Sequence, residues 1–162
     1  AYTGINEDAM TADVLNLIPP QKAGAIASTA GVVDLTGWCP VNQLTWESLR
    51  VPDIHVIGDA AVADPMPKTG FSANAQAKAC AAAIASELSH TELPRPSLAN
   101  TCYSLIAPDY GISNAMVYKV NKASLIEEVA GSGGSTPLDG DFKAEARYVE
   151  NWWYNITEEI FG

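Results

Sequence analysis

The residues best suited to chemistry lie between an apolar run and a long alanine-rich helix. The run Asp53–Gly58 has the composition of a buried strand, and Asp59 stands at its carboxyl end, where a carboxylate can accept hydrogen bonds from hydroxyl groups. The helix that follows presents free N–H groups and a partial positive charge at its start. This order suits the sugar-alcohol chain and the ring of a flavin. An ordinary strand-to-helix turn has the same residues, so the segment alone leaves both interpretations open.

Lys68 stands in a stiff loop, after Pro65 and Pro67 and directly before the helix. A lysine held there can stabilise negative charge on the ring of a reduced flavin. A solvated loop lysine is the more common case, so this position also has two interpretations.

Cys102 lies near the start of a predicted strand, within the sequence NTCYS at Asn100–Ser104. One interpretation is a redox thiol, which needs a partner and an electron acceptor nearby. The commoner role of a single cysteine in an apolar strand is a buried, inert side chain. Cys80, inside the alanine-rich helix, is predicted to lie in the core, and we make no assignment for Cys39.

The composition limits the class of protein. Of 162 residues, 48% are apolar and 17% charged, which is enough for a folded core. The net charge of −10 argues against nucleic acid as a partner and fits a basic protein or small molecules. Two histidines and three cysteines without metal-ligand spacing predict neither a metal site nor a hydrolytic triad. No apolar run is long enough to predict a membrane span.

A glycine-rich turn that would hold the pyrophosphate of a dinucleotide is absent from the sequence. No G-x-G-x-x-G motif occurs, and Gly131–Gly134 lacks both its final glycine and a preceding buried strand. Together with the absence of a start methionine, this predicts a piece of a larger protein, in which other sequence holds the pyrophosphate.

The elements that position these residues follow from hydrophobic patterning and from proline and glycine. The strongest prediction is a helix from Ser72 to about Leu88, with Ser72 as its cap. On a final helix, the adjacent Trp152 and Trp153 cannot share one face, so at least one points at another unit or a ligand. The other predictions are strands at 12–18, 53–58, 101–107, 112–120 and 125–129, a short strand and turn at 37–50, helices at 21–30 and 144–161, a turn at Pro108–Gly111 and a linker at 90–96.

Several motifs, in order along the chain, resemble the flavoprotein subunit of flavocytochrome c sulfide dehydrogenase. Only the carboxyl-terminal part of that subunit is matched. The motifs are IPPQKAG (Ile18–Gly24), GWCPV (Gly37–Val41), HVIGDAAVADPMPKTGFSANAQAKA (His55–Ala79), NTCYSLIAPDYGIS (Asn100–Ser113) and WYNI near the C-terminus.

The resemblance implies an α/β fold of two dinucleotide-binding domains, like that of glutathione reductase, followed by a small α+β domain. Residues 1–36 would be the tail of the second, pyridine-nucleotide-type domain, residues 37–91 the end of the FAD-binding domain, and residues 92–162 the C-terminal flavin-binding and interface domain. It also implies FAD attached covalently through a cysteine in the amino-terminal half of the flavoprotein, which this chain lacks. A partner subunit with haem c, a c-type cytochrome, would receive the electrons from sulfide, in the periplasm.

The resemblance further assigns roles to residues. Gly58 and Asp59 would contact the ribityl chain, and Pro67, Lys68, Thr69 and Gly70, with Phe71 after them, would lie by the isoalloxazine. Cys102 would form a redox-active disulfide over the flavin with a cysteine outside this chain. Trp153 would lie near the flavin, towards the haem. Hydrosulfide would attack the disulfide and leave a persulfide on one cysteine, and the thiolate of the other would reduce the flavin.

Two further functions stay open. The chain alone is expected to be inactive, and it would then be a non-catalytic fragment or a module that docks a cytochrome. A sulfide:quinone oxidoreductase relative would need an apolar C-terminal membrane surface. The acidic C-terminal sequence, Lys143–Gly162, does not have that composition.

Overall fold

A computed structural model describes residues 11–162 of the chain, which form a mixed arrangement of helices and sheets. The part of the first predicted domain that falls on residues 1–10 lies outside the described residues. In chain order, the elements are α1 (Ala25–Thr29), β1 (Cys39–Pro40), a 3₁₀ turn (Gly58–Ala60), β2 (Ala61–Val62), α2 (Gly70–Leu88), β3 (Ser97–Ala107), β4 (Tyr110–Val120), β5 (Ile126–Glu128), β6 (Gly134–Ser135) and α3 (Phe142–Phe161).

A long antiparallel hairpin forms the centre of the C-terminal half. Strands β3 and β4 are joined through a turn at Pro108 and Asp109, where the sequence predicts one. Strands β5 and β6 both pair with β4, also antiparallel. The sheet with α3 forms a small α+β unit, as the sequence predicts.

The two faces of the hairpin meet different helices. Side chains alternate between the two faces along a strand. On β3, Asn100 and Cys102 therefore lie on one side and Tyr103 on the other. The first side carries the start of α2, and the other carries α3. At Gly111 the strand and α3 approach so closely that a Cβ atom would lie 2.5 Å from the backbone nitrogen of Ala146.

Helix α2 begins two residues earlier than the sequence predicts. The hydroxyl of Thr69 accepts the N–H of Ser72 at 3.1 Å, so Thr69 is the cap and Ser72 lies inside the first turn. The predicted cap was therefore wrong. Ser72 is only 1% exposed because the turn packs against β3, which gives its hydroxyl a partner there.

Two predicted strands are not formed. Residues 12–18 are exposed, with Val14 at 87%, and the described chain offers them no pairing strand. In the run Asp53–Gly58, only His55 makes a bridge, to Glu47. Both ends of the run have a left-handed φ, +63° at Asp53 and +70° at Gly58, which an extended strand does not have.

The first helix is also shorter than the predicted segment 21–30. Helix α1 covers only Ala25–Thr29, and the N–H of Ala23 before it bonds to the carbonyl of Gly37 instead of entering a helix. Gly31 follows it with φ +74°, as expected of a residue that ends a helix.

One hydrophobic cluster joins the α2 segment to the hairpin. It includes Trp46, fully buried, and Tyr118, 3% exposed. The buried Gln43 adds polar ties: it donates to the carbonyls of Val62 and Asp64 and accepts the N–H of Ile126 at 2.6 Å. The hairpin is thereby held at a defined position relative to the loop before α2. No helix among residues 11–162 is long and apolar enough to cross a bilayer.

Candidate functional site

Lys68 ties together two of the segments that the sequence assigns to the site. Its Nζ donates to the carbonyl oxygen of Asp59 at 2.7 Å and to that of Ala61 at 2.8 Å. The same nitrogen lies 4.1 Å from the ring centroid of Trp38, a cation–π distance. Lys68 is therefore held in place by the turn that carries Asp59, rather than extended into solvent.

The turn before Asp59 is held from α2. Gln76 is 2% exposed, and its Oε1 accepts the N–H of Gly58 at 2.7 Å. Gly58 has the left-handed φ of +70°, which favours glycine. The exposed carboxylate of Asp59 is consequently displayed from a fixed turn. Gln76 was not predicted from the sequence, although an amide side chain inside a run of alanines was a usable signal.

A cleft of 320 Å³ opens beside this turn. Trp38, Asp59 and Lys68 line it, together with Lys22 and the backbone around Gly24. The cleft combines an aromatic ring, a carboxylate and two ammonium groups, which suits a ligand that is both polar and flat.

The first turn of α2 has free donors. The hydroxyl and the carbonyl of Thr69 take the N–H groups of Ser72 and Ala73. Helix geometry leaves the N–H groups of Gly70 and Phe71 without intrahelical partners. Apart from its neighbours in sequence and the backbone of its own helix, no atom of the described chain lies within 4 Å of the place where a Cβ on Gly70 would stand, so this side of the turn is open to a ligand.

A buried amide links this helix start to Cys102. Asn100 is 3% exposed, and its Oδ1 accepts the hydroxyl of Thr69 at 2.5 Å and that of Ser72 at 3.1 Å. Its Nδ2 donates to Cys102 Sγ at 3.3 Å. The loop before α2 and the NTCYS segment are thus brought together. The sequence analysis gave Asn100 no role, although the two-residue spacing from Cys102 places both on one strand face.

Cys102 is exposed, contrary to the common case of a buried cysteine in a strand. It lies in the middle of β3 and lines a cleft of 610 Å³. Cross-strand pairing puts Asn114 directly opposite it. Apolar side chains, including Ile112 and Leu138, line more of the same cleft.

The other cysteines are placed differently. Cys39 is fully buried and Cys80 is 7% exposed, which confirms the predicted core position of Cys80. Burial raises the pKa of both thiols; the charge of Asp34 raises that of Cys39 further. All three cysteines are free, so Cys102 is the accessible thiol of the chain.

The two adjacent tryptophans point in different directions, as the sequence analysis expects of at least one of them. Trp152 stacks on Phe71 with ring centroids 6.1 Å apart and lies 5.9 Å from Tyr103. Trp153 is 59% exposed, on a shallow cleft with Leu105. Trp152 is thus the one that reaches the start of α2.

A comparison with protein families identifies part of the chain. Residues 94–161 match the family model described as flavocytochrome c sulphide dehydrogenase, flavin-binding. This range covers the hairpin, α3 and Cys102, and the matching family is part of a flavin-dependent oxidoreductase. Over these residues, the match confirms the resemblance to flavocytochrome c sulphide dehydrogenase that was found in the sequence. The family supports a flavin as the cofactor and implies a cytochrome as a partner.

The residues present fit a flavin on structural grounds. The open first turn of α2 supplies unpaired N–H groups, and the fixed turn supplies the carboxylate of Asp59. Both lie on segments that Lys68 and Asn100 connect to one another and to the thiol. A flat, electron-rich ring with a hydroxylated side chain suits such donors and acceptors.

Proposed function

We propose that this chain is the carboxyl-terminal part of a sulfide dehydrogenase flavoprotein that oxidises sulfide through Cys102 and FAD and passes the electrons to a c-type cytochrome. The observation that carries the proposal is the exposed thiol of Cys102, held by Asn100 beside the first turn of α2. The dinucleotide-binding domains, the covalent FAD link outside this chain and the periplasmic location remain parts of the proposal that follow from the resemblance.

Within this proposal, Asp59 accepts hydrogen bonds from the hydroxylated chain of the FAD. The N–H groups of Gly70 and Phe71 donate to the polar edge of the ring. Lys68 keeps the Asp59 turn in place and brings a positive charge to the same end of the site. When bound, the FAD supplies the acceptor for an electron pair.

The chain's contribution to the chemistry is the sulfur of Cys102. In the oxidised state, this sulfur is joined to a second cysteine, which the described chain does not bring to it. Hydrosulfide attacks one of the two sulfurs: a bond to the hydrosulfide sulfur forms and the disulfide breaks. One cysteine keeps the persulfide, and the other leaves as a thiolate with the electron pair. The donor from Asn100 stabilises that charge when it falls on Cys102.

A partner surface for the cytochrome is proposed on the outer side of α3. Trp153 is 59% exposed and Tyr154 68% exposed, and the carboxylates of Glu150 and Glu158 stand beside them. Aromatic side chains with an acidic rim favour a basic protein partner. The same observation supports the alternative function, in which the chain only docks a cytochrome.

Flavin binding and reduction by sulfide test the proposal. The test uses the intact flavoprotein, in which this chain is combined with the part that would hold the pyrophosphate, the covalent link and the second cysteine. Flavin that stays bound through purification is measured by its visible absorption. Sulfide is then added without oxygen, and bleaching of the visible flavin absorption is measured. We expect binding and rapid bleaching in the unchanged protein, and binding with little bleaching in Cys102→Ser.

Ser104→Ala is the matched control, because Ser104 is exposed on the same strand two residues further on. It should bleach at the rate of the unchanged protein. Rapid bleaching in Cys102→Ser would refute the role of Cys102. Binding of a basic c-type cytochrome without any binding of FAD would favour the docking function instead.

A further inference from the structure

Asn100 connects the start of α2 to the sulfur of Cys102 through polar contacts. On one side, it takes hydrogen bonds from the hydroxyls of Thr69 and Ser72, and on the other it meets Cys102 Sγ at 3.3 Å. The residue is 3% exposed, whereas Cys102 beside it is exposed. A buried, fully engaged amide therefore touches the one accessible thiol.

The contacts determine which way the amide points. The hydroxyl of Thr69 accepts the N–H of Ser72 and directs its own proton elsewhere, and the atom that it reaches is Asn100 Oδ1, which the Ser72 hydroxyl reaches as well. The atom facing the two hydroxyls is therefore the oxygen. The NH₂ group then faces the sulfur, and the sulfur receives a donor rather than an acceptor.

A donor in this position holds the sulfur more strongly when the sulfur carries a negative charge. Hydrogen bonds to an anion are shorter and stronger than those to a neutral group, so the contact gains strength when the Cys102 sulfur loses its proton. The side chain of Asn100 cannot turn away, because both hydroxyls hold its oxygen and β3 and α2 bury it.

We propose that Asn100 is a positioning residue for Cys102: its amide holds the sulfur beside the first turn of α2 and stabilises it as a thiolate. The inference deepens the proposed function and rests on it for the part that the thiolate plays with sulfide. The orienting contacts with Thr69 and Ser72 make the geometry of the thiol depend on the same helix turn that would face the flavin.

The test measures the reactivity of Cys102 in the full chain, with neither flavin nor sulfide present. The rate of alkylation by iodoacetamide is measured at pH 7 and at pH 10, where most thiols are ionised, and the Cys102 peptide is quantified by mass spectrometry. In Asn100→Leu, which has a similar shape but neither the N–H donors nor a charge, the ratio of the rate at pH 7 to that at pH 10 should fall about fivefold, as loss of one hydrogen bond of ordinary net strength predicts.

Asn114→Ala is the matched control. Asn114 pairs with Cys102 across the hairpin and lines the same cleft, but its side chain donates to Ser135 instead of the sulfur. In this variant, the ratio of the Cys102 alkylation rates at pH 7 and pH 10 should equal that of the unchanged chain. Circular dichroism at both pH values shows whether each variant is folded.

Ser72→Ala decides the matter if Asn100→Leu does not fold. It keeps Asn100 and removes one of the two hydroxyls that orient the amide, so the ratio should fall by about twofold. The proposal would be overturned if the Asn100 variant folds and its ratio of alkylation rates at pH 7 and pH 10 is unchanged. If only Ser72→Ala folds, an unchanged ratio in that variant would overturn it. So would an equal fall in Asn114→Ala. Failure of FAD binding or sulfide bleaching in the separate assay would refute the proposed function and leave this result standing.

Discussion

The carboxamide oxygen of Gln76 accepts the N–H of Gly58 at 2.7 Å, across 18 positions of sequence. This bond joins the middle of α2 to the turn that displays Asp59. Gln76 is 2% exposed, so water does not replace the bond if it is lost.

Replacement of Gln76 by leucine should destabilise the fold. Leucine has a similar volume, but the N–H of Gly58, which is half-buried, would lose its partner on α2, and this costs about 1–3 kcal/mol. The free energy of unfolding from urea titration measures the loss. Gln21→Leu is the control, because Gln21 is exposed and should change this free energy by less than about 0.5 kcal/mol. Equal stability of the two variants would contradict the prediction.

Gly111 should not tolerate a methyl group. An added Cβ would lie 2.5 Å from the backbone nitrogen of Ala146, so β4 and α3 would have to move apart. We expect Gly111→Ala to lower the free energy of unfolding by about 1–3 kcal/mol.

Gly134→Ala is the matched control for that change, since nothing lies within 4 Å of its added Cβ. Both variants are compared by urea unfolding monitored through tryptophan fluorescence. A loss in Gly134→Ala as large as in Gly111→Ala would show that the approach of α3 is not the cause.

The three cysteines should differ in reactivity. Cys102 is exposed, whereas Cys39 and Cys80 are buried and burial raises the pKa of their thiols. Limited treatment with iodoacetamide at neutral pH should modify Cys102 faster than either of the others by more than about tenfold. Peptide mass spectrometry gives the three rates. Comparable labelling of Cys39 in the folded protein would be inconsistent with its position.

The contact between α2 and α3 should depend on pH. Hydrogen bonds from Lys78 and Asn74 hold the pKa of Glu159 below its ordinary value of 4.5. Their contribution to stability is therefore present above that value and is lost as the pH falls through the lower pKa of the folded state. Because the pair is exposed, the effect is small.

Thermal melting tests this dependence. Glu159→Gln should melt at a lower temperature than the unchanged protein at pH 7, and the difference should shrink at pH 3. Glu158→Gln, a change at the exposed neighbouring position, should leave the melting temperature nearly unchanged at both pH values. A difference for Glu159→Gln that grows on acidification would have the wrong sign.

The sequence by itself determined the features that rest on local pattern. The alanine-rich run predicts α2, and the turn residues between two β-rich runs predict the β3–β4 hairpin, because both depend on neighbours within a few residues. The succession of motifs pointed to a resemblance to flavocytochrome c sulphide dehydrogenase, and that family's model matches residues 94–161. The motif NTCYS also selected Cys102 as a candidate redox residue, for which accessibility is a requirement.

Local pattern failed where a distant partner decides the outcome. The apolar run Asp53–Gly58 has strand composition, but a strand needs a neighbour along its length, and only His55 has a bridge within the described chain. Ser72 is a good cap by residue type. Because α2 packs against β3, its hydroxyl donates to Asn100 instead, and Thr69 caps the helix.

Only the tertiary structure decided how the candidate site is assembled. Lys68 binds the Asp59 turn, Gln76 binds Gly58, and Asn100 joins Thr69 to Cys102. Hydrophobic periodicity can show which face of a helix or strand is buried. It cannot show which other element that face contacts. The physical reason is that a buried amide must find a partner, and that partner is set by how the helices pack on the sheet, not by its neighbours in sequence.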